Sequence, residues 1–298
     1  MDELTCVLAR LQARLGAVTD GPVALEGGIT NRNYRVRFGE RDCVVRLPGR
    51  KTSLLGINRD AERIANEAAA ALGIAPVVVA ADEACLVTEY VAARPSQARE
   101  VRAAPEPVAR ALRAFHDARV ELPARFWVPE LLDSYAATVA ASGGSVPNEY
   151  AAAQALARRI AEVLPLTEPV ACHDDLLPAN VLSVDRGRTV VLVDWEYAGM
   201  GHRLFDLGNL AVNCELDEAA ETRLLGGYFE EQPSAGRRAA LRLMRLMSDA
   251  REAAWGVVQG VISELEFDFQ TYAARHFERL DDAASDPRLE EWLGAATA

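Results

Sequence analysis

The chain has 298 residues, of which 50% are hydrophobic, and carries a formal net charge of −12 at pH 7. This length allows one large domain or two lobes with a sizeable core. The acidic balance argues against nucleic acid or an anionic membrane surface as a partner.

The cysteines and the N-terminus indicate a compartment. Five scattered cysteines without a C-x-x-C pair predict reduced thiols rather than a disulfide frame or a zinc site. The first segment, MDELTCVLARLQARLG, reads as a charged amphipathic helix and not as a signal peptide. No apolar run approaches the ~20 residues of a membrane span. We therefore expect a cytoplasmic protein.

Short apolar runs separated by turn residues dominate the next part of the chain. Three predicted strands, PVALEGG, RNYRVRFG and RDCVVRLPG, precede the predicted helix NRDAERIANEAAAALG. Two further strands follow, APVVVAAD and ACLVTEYV. This order predicts a five-stranded, mostly antiparallel sheet lobe with one helix, over residues 1–92.

Helical periodicity dominates residues 93–298, and a hairpin of VLSV and TVVLVD interrupts it. A small sheet lobe followed by a larger helical lobe predicts an α+β protein with a cleft between the lobes.

A polar cluster lies in the run ACHDDLLPANVLSV. Asp175 precedes Asn180 by five positions, and the hairpin returns the chain so that Asp194 can face Asn180. Phosphoryl transfer from ATP needs a carboxylate that orients the accepting hydroxyl, and an asparagine and a second carboxylate that hold Mg²⁺. Each residue alone is weak evidence, because such residues also cap helices and fix turns. Their order and spacing favour a kinase, with His173 shaping the loop.

Kinase chemistry also needs a strand cation that is braced by a helix glutamate. Arg46 lies on the third predicted strand, and a guanidinium can hold phosphate oxygens with two parallel hydrogen bonds. Glu67 in the following helix is the preferred partner, and Glu62 is the alternative. A P-loop is excluded because its motif is absent and the single lysine, Lys51, falls in a loop.

Two further segments complete the predicted nucleotide site. The stretch LEGGITNRNY provides a glycine turn with Gly28, Thr30 and Asn31 near its tip, where backbone N–H groups can approach phosphate oxygens. Glu89 and Val91 follow the last strand of the first lobe, where backbone groups can meet the edge of adenine. This second assignment rests on position in the fold.

Arg46 and the stretches HDDLLPAN and VDWEYAG carry a family resemblance. In these residues the chain resembles the choline/ethanolamine kinases. That family belongs to the aminoglycoside-phosphotransferase-like group, which has the protein-kinase fold. The resemblance extends from GGITNRNY to ARHFERL. It implies that Asp175 is the catalytic base and that Asn180 and Asp194 are metal ligands. It also implies ATP and Mg²⁺ as cofactors and a small cationic hydroxyl compound as substrate.

The family receives an ammonium group in an acidic, aromatic pocket, and the matching positions are Glu196, Tyr197, Trp255 and Tyr272. Aromatic faces attract an ammonium by cation–π contact, although Trp255 and Tyr272 can equally be core residues. The chain departs from the family pattern at Glu252, where a second tryptophan is usual. A lost aromatic wall disfavours a trimethylammonium group more than a primary amine.

We therefore predict a kinase of a small amino alcohol, with choline or ethanolamine as first candidates. A kinase for aminoglycosides, sugars or other small molecules is the alternative within the same fold. Two other classes are weaker: a hydrolase with a metal held by His173, Asp174, Asp175 and Asp194, and a non-catalytic nucleotide-binding scaffold. The first lacks paired histidine spacing, and the second would have lost part of the catalytic set.

Overall fold

Five antiparallel strands form a sheet in the N-terminal lobe, in the order β1-β2-β3-β5-β4. The computed structural model describes residues 2–25 and 31–296 of the chain. The predicted five-stranded sheet is confirmed. Its strands are β1 (Val18–Leu25), β2 (Arg32–Phe38), β3 (Arg41–Leu47), β4 (Val78–Asp82) and β5 (Cys85–Glu89).

One face of this sheet packs against the first helix, α1 (Glu3–Leu15). Alternating residues of the central strands are buried there, such as Val36 and Val45, and they meet Val7 and Leu11 of α1. The second helix, α2 (Arg59–Ala71), begins after Asn58, whose side chain accepts two backbone N–H groups at the helix start. Alanines on one face of α2 join the large core of the molecule.

Helices build the C-terminal lobe around one long central helix, α9. Because α9 is surrounded by α5, α7 and α10, most of its residues are buried. The helices are α3 (Ala98–Ala103), α4 (Glu106–Asp117), α5 (Val128–Ala141), α6 (Glu149–Val163), α7 (Arg203–Asn213), α8 (Glu218–Phe229), α9 (Ala235–Ile262), α10 (Phe269–Ala284) and α11 (Leu289–Ala295).

Two small strand pairs lie in this lobe. The predicted hairpin is present as β7 (Val181–Val184) and β8 (Thr189–Leu192). Sequence reasoning missed the other pair, β6 (Val170–Cys172) and β9 (Gly199–Gly201), because three residues are too few to show a period of two. This pair brings the start of the polar cluster next to the segment that follows Asp194.

The two lobes meet through the segment between β3 and α2. Tyr135 of α5 donates its hydroxyl to the Leu55 carbonyl at 2.9 Å, and Lys51 Nζ donates to the Ile262 carbonyl at the end of α9 at 3.1 Å. The predicted division at residues 92 and 93 falls shortly after β5 and stays a prediction. No helix in the described part of the chain is long and apolar enough to cross a membrane.

Candidate active site

A cleft of about 410 Å³ lies between the lobes and contains most of the predicted site residues. Side chains of β3, α2 and the end of β5 line its N-terminal side. The loop after β6, the segment after β8 and the helices α9 and α10 line its C-terminal side. The sheet and the helical core therefore converge on one concave site.

Asp175 lies in the loop after β6, and neighbouring groups fix its backbone. Its N–H donates to His173 Nδ1 at 3.3 Å, and its carbonyl accepts from Asn180 Nδ2 at 2.8 Å. The other nitrogen of His173, Nε2, donates to the Val193 carbonyl at 3.0 Å. Burial lowers the pKa of His173, so the ring is neutral and shapes the loop, as the sequence predicts.

Asp206, at the start of α7, accepts hydrogen bonds from the backbone of the loop that contains Asp175. Sequence reasoning missed this residue. Its carboxylate accepts the N–H groups of His173 and Asp174, each at 2.8 Å, and His116 Nε2 lies 3.0 Å away. Burial alone raises the pKa of Asp206, but these hydrogen bonds hold it below its usual value. Asn209, one turn later, accepts the Leu176 N–H. The signal was the FDLGN stretch, where polar residues interrupt an apolar helix.

Asp194 and Asn180, the two predicted metal ligands, both line the cleft. The side chain of Asp194 is 23% exposed, and its backbone has φ 65°, a left-handed conformation. Because the amide nitrogen of Asn180 donates to Asp175, its oxygen remains available as a ligand. The set contains one amide and one carboxylate, which are oxygen donors suited to Mg²⁺.

Arg46 faces the cleft as predicted, but its glutamate partner is Glu62 and not Glu67. The guanidinium pairs with Glu62, which is buried on α2, and donates to Asp194 Oδ1 at 2.6 Å. Glu67 instead lies on the exposed face of α2 and pairs with Arg63 at 2.9 Å. The preference for Glu67 is therefore wrong. Glu62 lies next to Ala61, Ala65 and Ala69, which mark the buried face of the helix.

The remaining nucleotide-side predictions have different outcomes. Glu89 and Val91 line the cleft at the end of β5. Asn31 is buried and accepts the Gly49 N–H at 3.3 Å, and Gly28 and Thr30 lie outside the described residues. Asn66, one turn after Glu62, also lines the cleft, and its buried side-chain oxygen has no hydrogen-bond partner among the residues that the structure describes. Sequence reasoning missed Asn66, which is a polar residue on the alanine face of α2.

The predicted aromatic residues come together beside Asp175. Trp255 Nε1 donates to the Tyr197 hydroxyl at 2.7 Å, and the Trp255 and Tyr272 rings lie 5.4 Å apart, edge to face. Tyr272 donates its hydroxyl to Glu252 Oε2 at 2.7 Å. All four side chains line the cleft, although Trp255 also packs on Phe269 in the core.

Glu196 lines the cleft but is not a free carboxylate. It is 3% exposed, and Arg59 Nη1 lies 3.4 Å from its Oε2. Burial and the neighbouring Asp194 raise the pKa of Glu196, while Arg46 and Arg59 act in the opposite direction. An internal arginine therefore already neutralises part of the charge predicted for an ammonium ligand.

Arg251 of α9 is a further site residue that sequence reasoning missed. Its Nη1 lies 3.3 Å from Asp175 Oδ1 and 2.5 Å from Glu252 Oε1. Burial raises the pKa of Asp175 well above its usual value, Arg251 opposes this shift, and Glu252 adds to it. The signal was a charged pair inside an apolar helix, in the stretch DAREAAWG.

Comparison with known proteins identifies this arrangement. A model described as the phosphotransferase enzyme family matches residues 23–243. The chain belongs to this family. Ethanolamine kinase 2 of Mus musculus is 30% identical over an alignment of 289 positions, gaps included, and the match covers 85% of this chain and 73% of that protein. Probable choline kinase 1 of Arabidopsis thaliana is 23% identical over an alignment of 325 positions, which covers 93% of this chain and 92% of that protein. The resemblance to choline/ethanolamine kinases is confirmed.

Solved structures agree with this assignment. A choline/ethanolamine kinase family protein from Mesorhizobium loti superposes with a TM-score of 0.83 at 28% identity, and the match covers 99% of both chains. Choline kinase LicA from Streptococcus pneumoniae has a TM-score of 0.75 at 21% identity, covering 95% of this chain and 99% of that one. The latter shows the fold alone. The predicted two-lobed, protein-kinase-like fold is confirmed, and the phosphotransferase is a small-molecule kinase.

The geometry of the phosphotransferase does not support the hydrolase alternative. Asp174 is fully buried behind the loop, and both ring nitrogens of His173 are engaged in hydrogen bonds. Within the described residues, the one three-residue group with metal-ligand spacing is His116, Cys172 and Asp206. That group is buried, it excludes Asp175 and Asp194, and Asp206 already accepts the loop amides. The four residues named for a hydrolase therefore do not form one metal site.

Proposed function

We propose that the phosphotransferase transfers the γ-phosphate of ATP, with Mg²⁺, to the hydroxyl group of a small amino alcohol, choline or ethanolamine. The observation that carries this proposal is the placement of Glu252, Tyr272 and Trp255 beside Asp175. A carboxylate and aromatic rings attract an ammonium group. The same cleft contains the cation and the carboxylate that phosphoryl transfer requires, Arg46 and Asp194.

ATP would lie between the lobes. Backbone groups of Glu89 and Val91 would meet adenine, and Arg46, braced by Glu62, would hold phosphate oxygens. The segment that contains Gly28, Thr30 and Asn31 would approach the phosphates. On this proposal residues 1–92 form the nucleotide lobe, and residues 93–298 carry the catalytic loop and the acceptor pocket.

The donor set supports Mg²⁺ as the metal. Asn180 and Asp194 would hold the ion through oxygen atoms, and the amide orientation of Asn180 leaves its oxygen free for this role. The metal would supply positive charge that neutralises the phosphate oxygens during transfer. Asn66, whose side-chain oxygen accepts no hydrogen bond from the described part of the chain, lines the same cleft.

Asp175 would act as the catalytic base. It would accept a hydrogen bond from the acceptor hydroxyl and take its proton as the phosphoryl group is transferred. The buried loop holds its backbone from two sides. A raised pKa makes this carboxylate a stronger base than a solvated aspartate.

ADP release with Mg²⁺-ATP tests the proposal against a panel of choline, ethanolamine, sugars and aminoglycosides. Strong turnover of an amino alcohol is expected, and turnover of sugars or aminoglycosides alone would refute the amino-alcohol assignment. Asp175→Asn should lose essentially all turnover and retain ATP binding. Asp60→Asn is the control, because the Asp60 side chain is 79% exposed on α2. An active Asp175→Asn variant would contradict the assigned base.

A further inference from the structure

A buried cation already lies in the pocket that is proposed to receive a cationic acceptor. Arg251 is 1% exposed and lines the cleft together with Glu252, Tyr197 and Trp255. Its guanidinium carbon lies 4.3 Å from the centroid of the Tyr197 ring. This is the position that the ammonium group of a ligand takes in a cation–π contact.

The Tyr197 ring is fixed in this contact. Its hydroxyl accepts from Trp255 Nε1 at 2.7 Å, and the residue is 7% exposed. Arg251 Nε and Nη2 are buried without a hydrogen-bond acceptor among the described residues. The negative face of the ring therefore compensates part of the buried charge. A second cation cannot use the same face without strong repulsion from the guanidinium.

The carboxylate of Glu252 is also partly engaged. Oε1 contacts Arg251 Nη1 at 2.5 Å, and Oε2 accepts the Tyr272 hydroxyl at 2.7 Å. Each carboxylate oxygen can accept a second hydrogen bond. A primary ammonium, with three N–H donors, can use these sites, whereas a trimethylammonium group has no donor and depends on free aromatic faces.

We propose that Arg251 is a specificity-determining residue that occupies the cation site on Tyr197 and thereby selects acceptors with a primary ammonium over acceptors with a quaternary ammonium. This inference rests on the proposed function, since it concerns the acceptor pocket of the same reaction. In this inference Arg251 disfavours the quaternary ammonium, and Glu252 provides the acceptor oxygens for the primary ammonium.

The test is the ratio of kcat/KM for choline to kcat/KM for ethanolamine in the double variant Arg251→Met/Glu252→Gln. Methionine is unbranched and uncharged and removes the competing positive charge from the Tyr197 face, while glutamine still accepts from Tyr272. The double change removes one charge of each sign, so the net charge of the pocket stays constant. Both acceptors use the same base, so a turnover loss that arises near Asp175 cancels in the ratio.

We expect the choline-to-ethanolamine ratio to rise about 30-fold in the double variant, which corresponds to a desolvated cation–π contact of about 2 kcal/mol. The matched control is Arg251→Lys, which keeps a cation in the pocket and should not raise the ratio. An unchanged or lower ratio in the double variant would overturn the inference, as would an equal rise in the lysine variant.

Binding of tetramethylammonium chloride separates this inference from the proposed function, because that ion has no hydroxyl group to phosphorylate. Calorimetric titration should show tighter binding to the double variant than to the native chain. If no amino alcohol is turned over, the proposed function fails, and the titration still decides the inference. Equal or weaker binding of tetramethylammonium by a folded double variant, checked by thermal unfolding, would refute the role of Arg251.

Discussion

The pairing of Arg46 with Glu62 gives the sharpest test of the nucleotide side of the site. We compare Glu62→Gln with Glu67→Gln, two substitutions that remove the same charge from the same helix. Glu62 is 3% exposed and contacts both Arg46 and Arg59, the latter at 2.7 Å. Glu67 is an exposed residue that contacts Arg63 one turn away.

The expected magnitudes differ because the two environments differ. Removal of one partner from a buried ion pair costs at most roughly 3 kcal/mol here, since Arg46 keeps Asp194 and Arg59 keeps Glu196 as acidic partners. Misplacement of a phosphate-binding group by about 1 Å lowers turnover about 100-fold. Glu62→Gln should therefore reduce both stability and kcat. An exposed i,i+4 pair contributes only about 0.3–0.5 kcal/mol, so Glu67→Gln should behave almost as the native chain.

The assays are ADP release at saturating Mg²⁺-ATP and the free energy of unfolding from denaturant titration. Loss of turnover in Glu67→Gln to the same extent as in Glu62→Gln would refute the assigned pair. A Glu62→Gln variant with native turnover would refute the role of the pair in catalysis, whatever its effect on stability.

Two further predictions concern α7, the helix that holds the catalytic loop. Gly208→Ala should destabilise the protein by roughly 2 kcal/mol in denaturant titration, since the added Cβ would lie 2.6 Å from the α9 backbone. The control is Gly226→Ala on α8, where the nearest atom would lie 3.7 Å from the added Cβ. This control should be neutral or stabilising, because alanine favours a helix more than glycine does. Burial lowers the pKa of His202 from 6.5 to about 4. The unfolded chain binds more protons between these values, so stability should fall by roughly 3 kcal/mol as the pH drops from 6.5 to 4. His202→Asn keeps an acceptor at the start of α7 and should weaken this dependence, measured as unfolding free energy against pH; an unchanged profile would contradict the assignment.

The catalytic loop could be predicted from the sequence because its parts are close along the chain. Asp175 and Asn180 are five residues apart, and the hairpin between Asn180 and Asp194 is a local structure with its own turn signal. The strands of the N-terminal lobe were also predictable, because alternation and turn residues mark each one. One boundary differed: β1 begins at Val18, before the predicted start, with register shifts in its pairing to β2.

The choice between Glu62 and Glu67 depended on the rotational phase of one helix. Five residues place two side chains about 140° apart around a helix axis, so only one of them can face Arg46. Composition and length do not fix that phase, because six of the 13 residues of α2 are alanines and they occur on more than one side of the helix. Only the spacing of Ala61, Ala65 and Ala69 indicates the buried face, and it favours Glu62.

The contact between Arg251 and Asp175 depends on tertiary packing, because the two residues are 76 positions apart. Arg251 lies on α9, which packs against α7, and α7 in turn holds the loop of Asp175 through Asp206. No local pattern encodes this arrangement. The sequence predicted a charged, aromatic pocket, but not that the pocket contains a cation of its own.

Asp194, Glu62 and Glu196 are paired by two arginines that each bridge two of these acidic groups. Arg46 joins Asp194 to Glu62, and Arg59 joins Glu62 to Glu196. These contacts form a continuous chain of alternating charge from the segment after β8 to the start of α2. A planar guanidinium with five donors suits such bridging better than a compact ammonium.

A second, separate bridge lies on the acceptor side, where Arg251 joins Asp175 to Glu252. The contacts of Arg46 and Arg59 and the contacts of Arg251 share no arginine. A substitution in one of these two networks therefore changes the charge balance mainly on its own side of the cleft. Loss of Arg59 would leave Glu196 without its arginine partner, close to Asp194, the proposed metal ligand. Loss of Arg251 would instead remove the arginine contact of Asp175, the proposed base, and of Glu252 together. On the proposed function, the acceptor specificity of this kinase can therefore change through the contacts of Arg251 while the contacts of Arg46 and Arg59 stay intact.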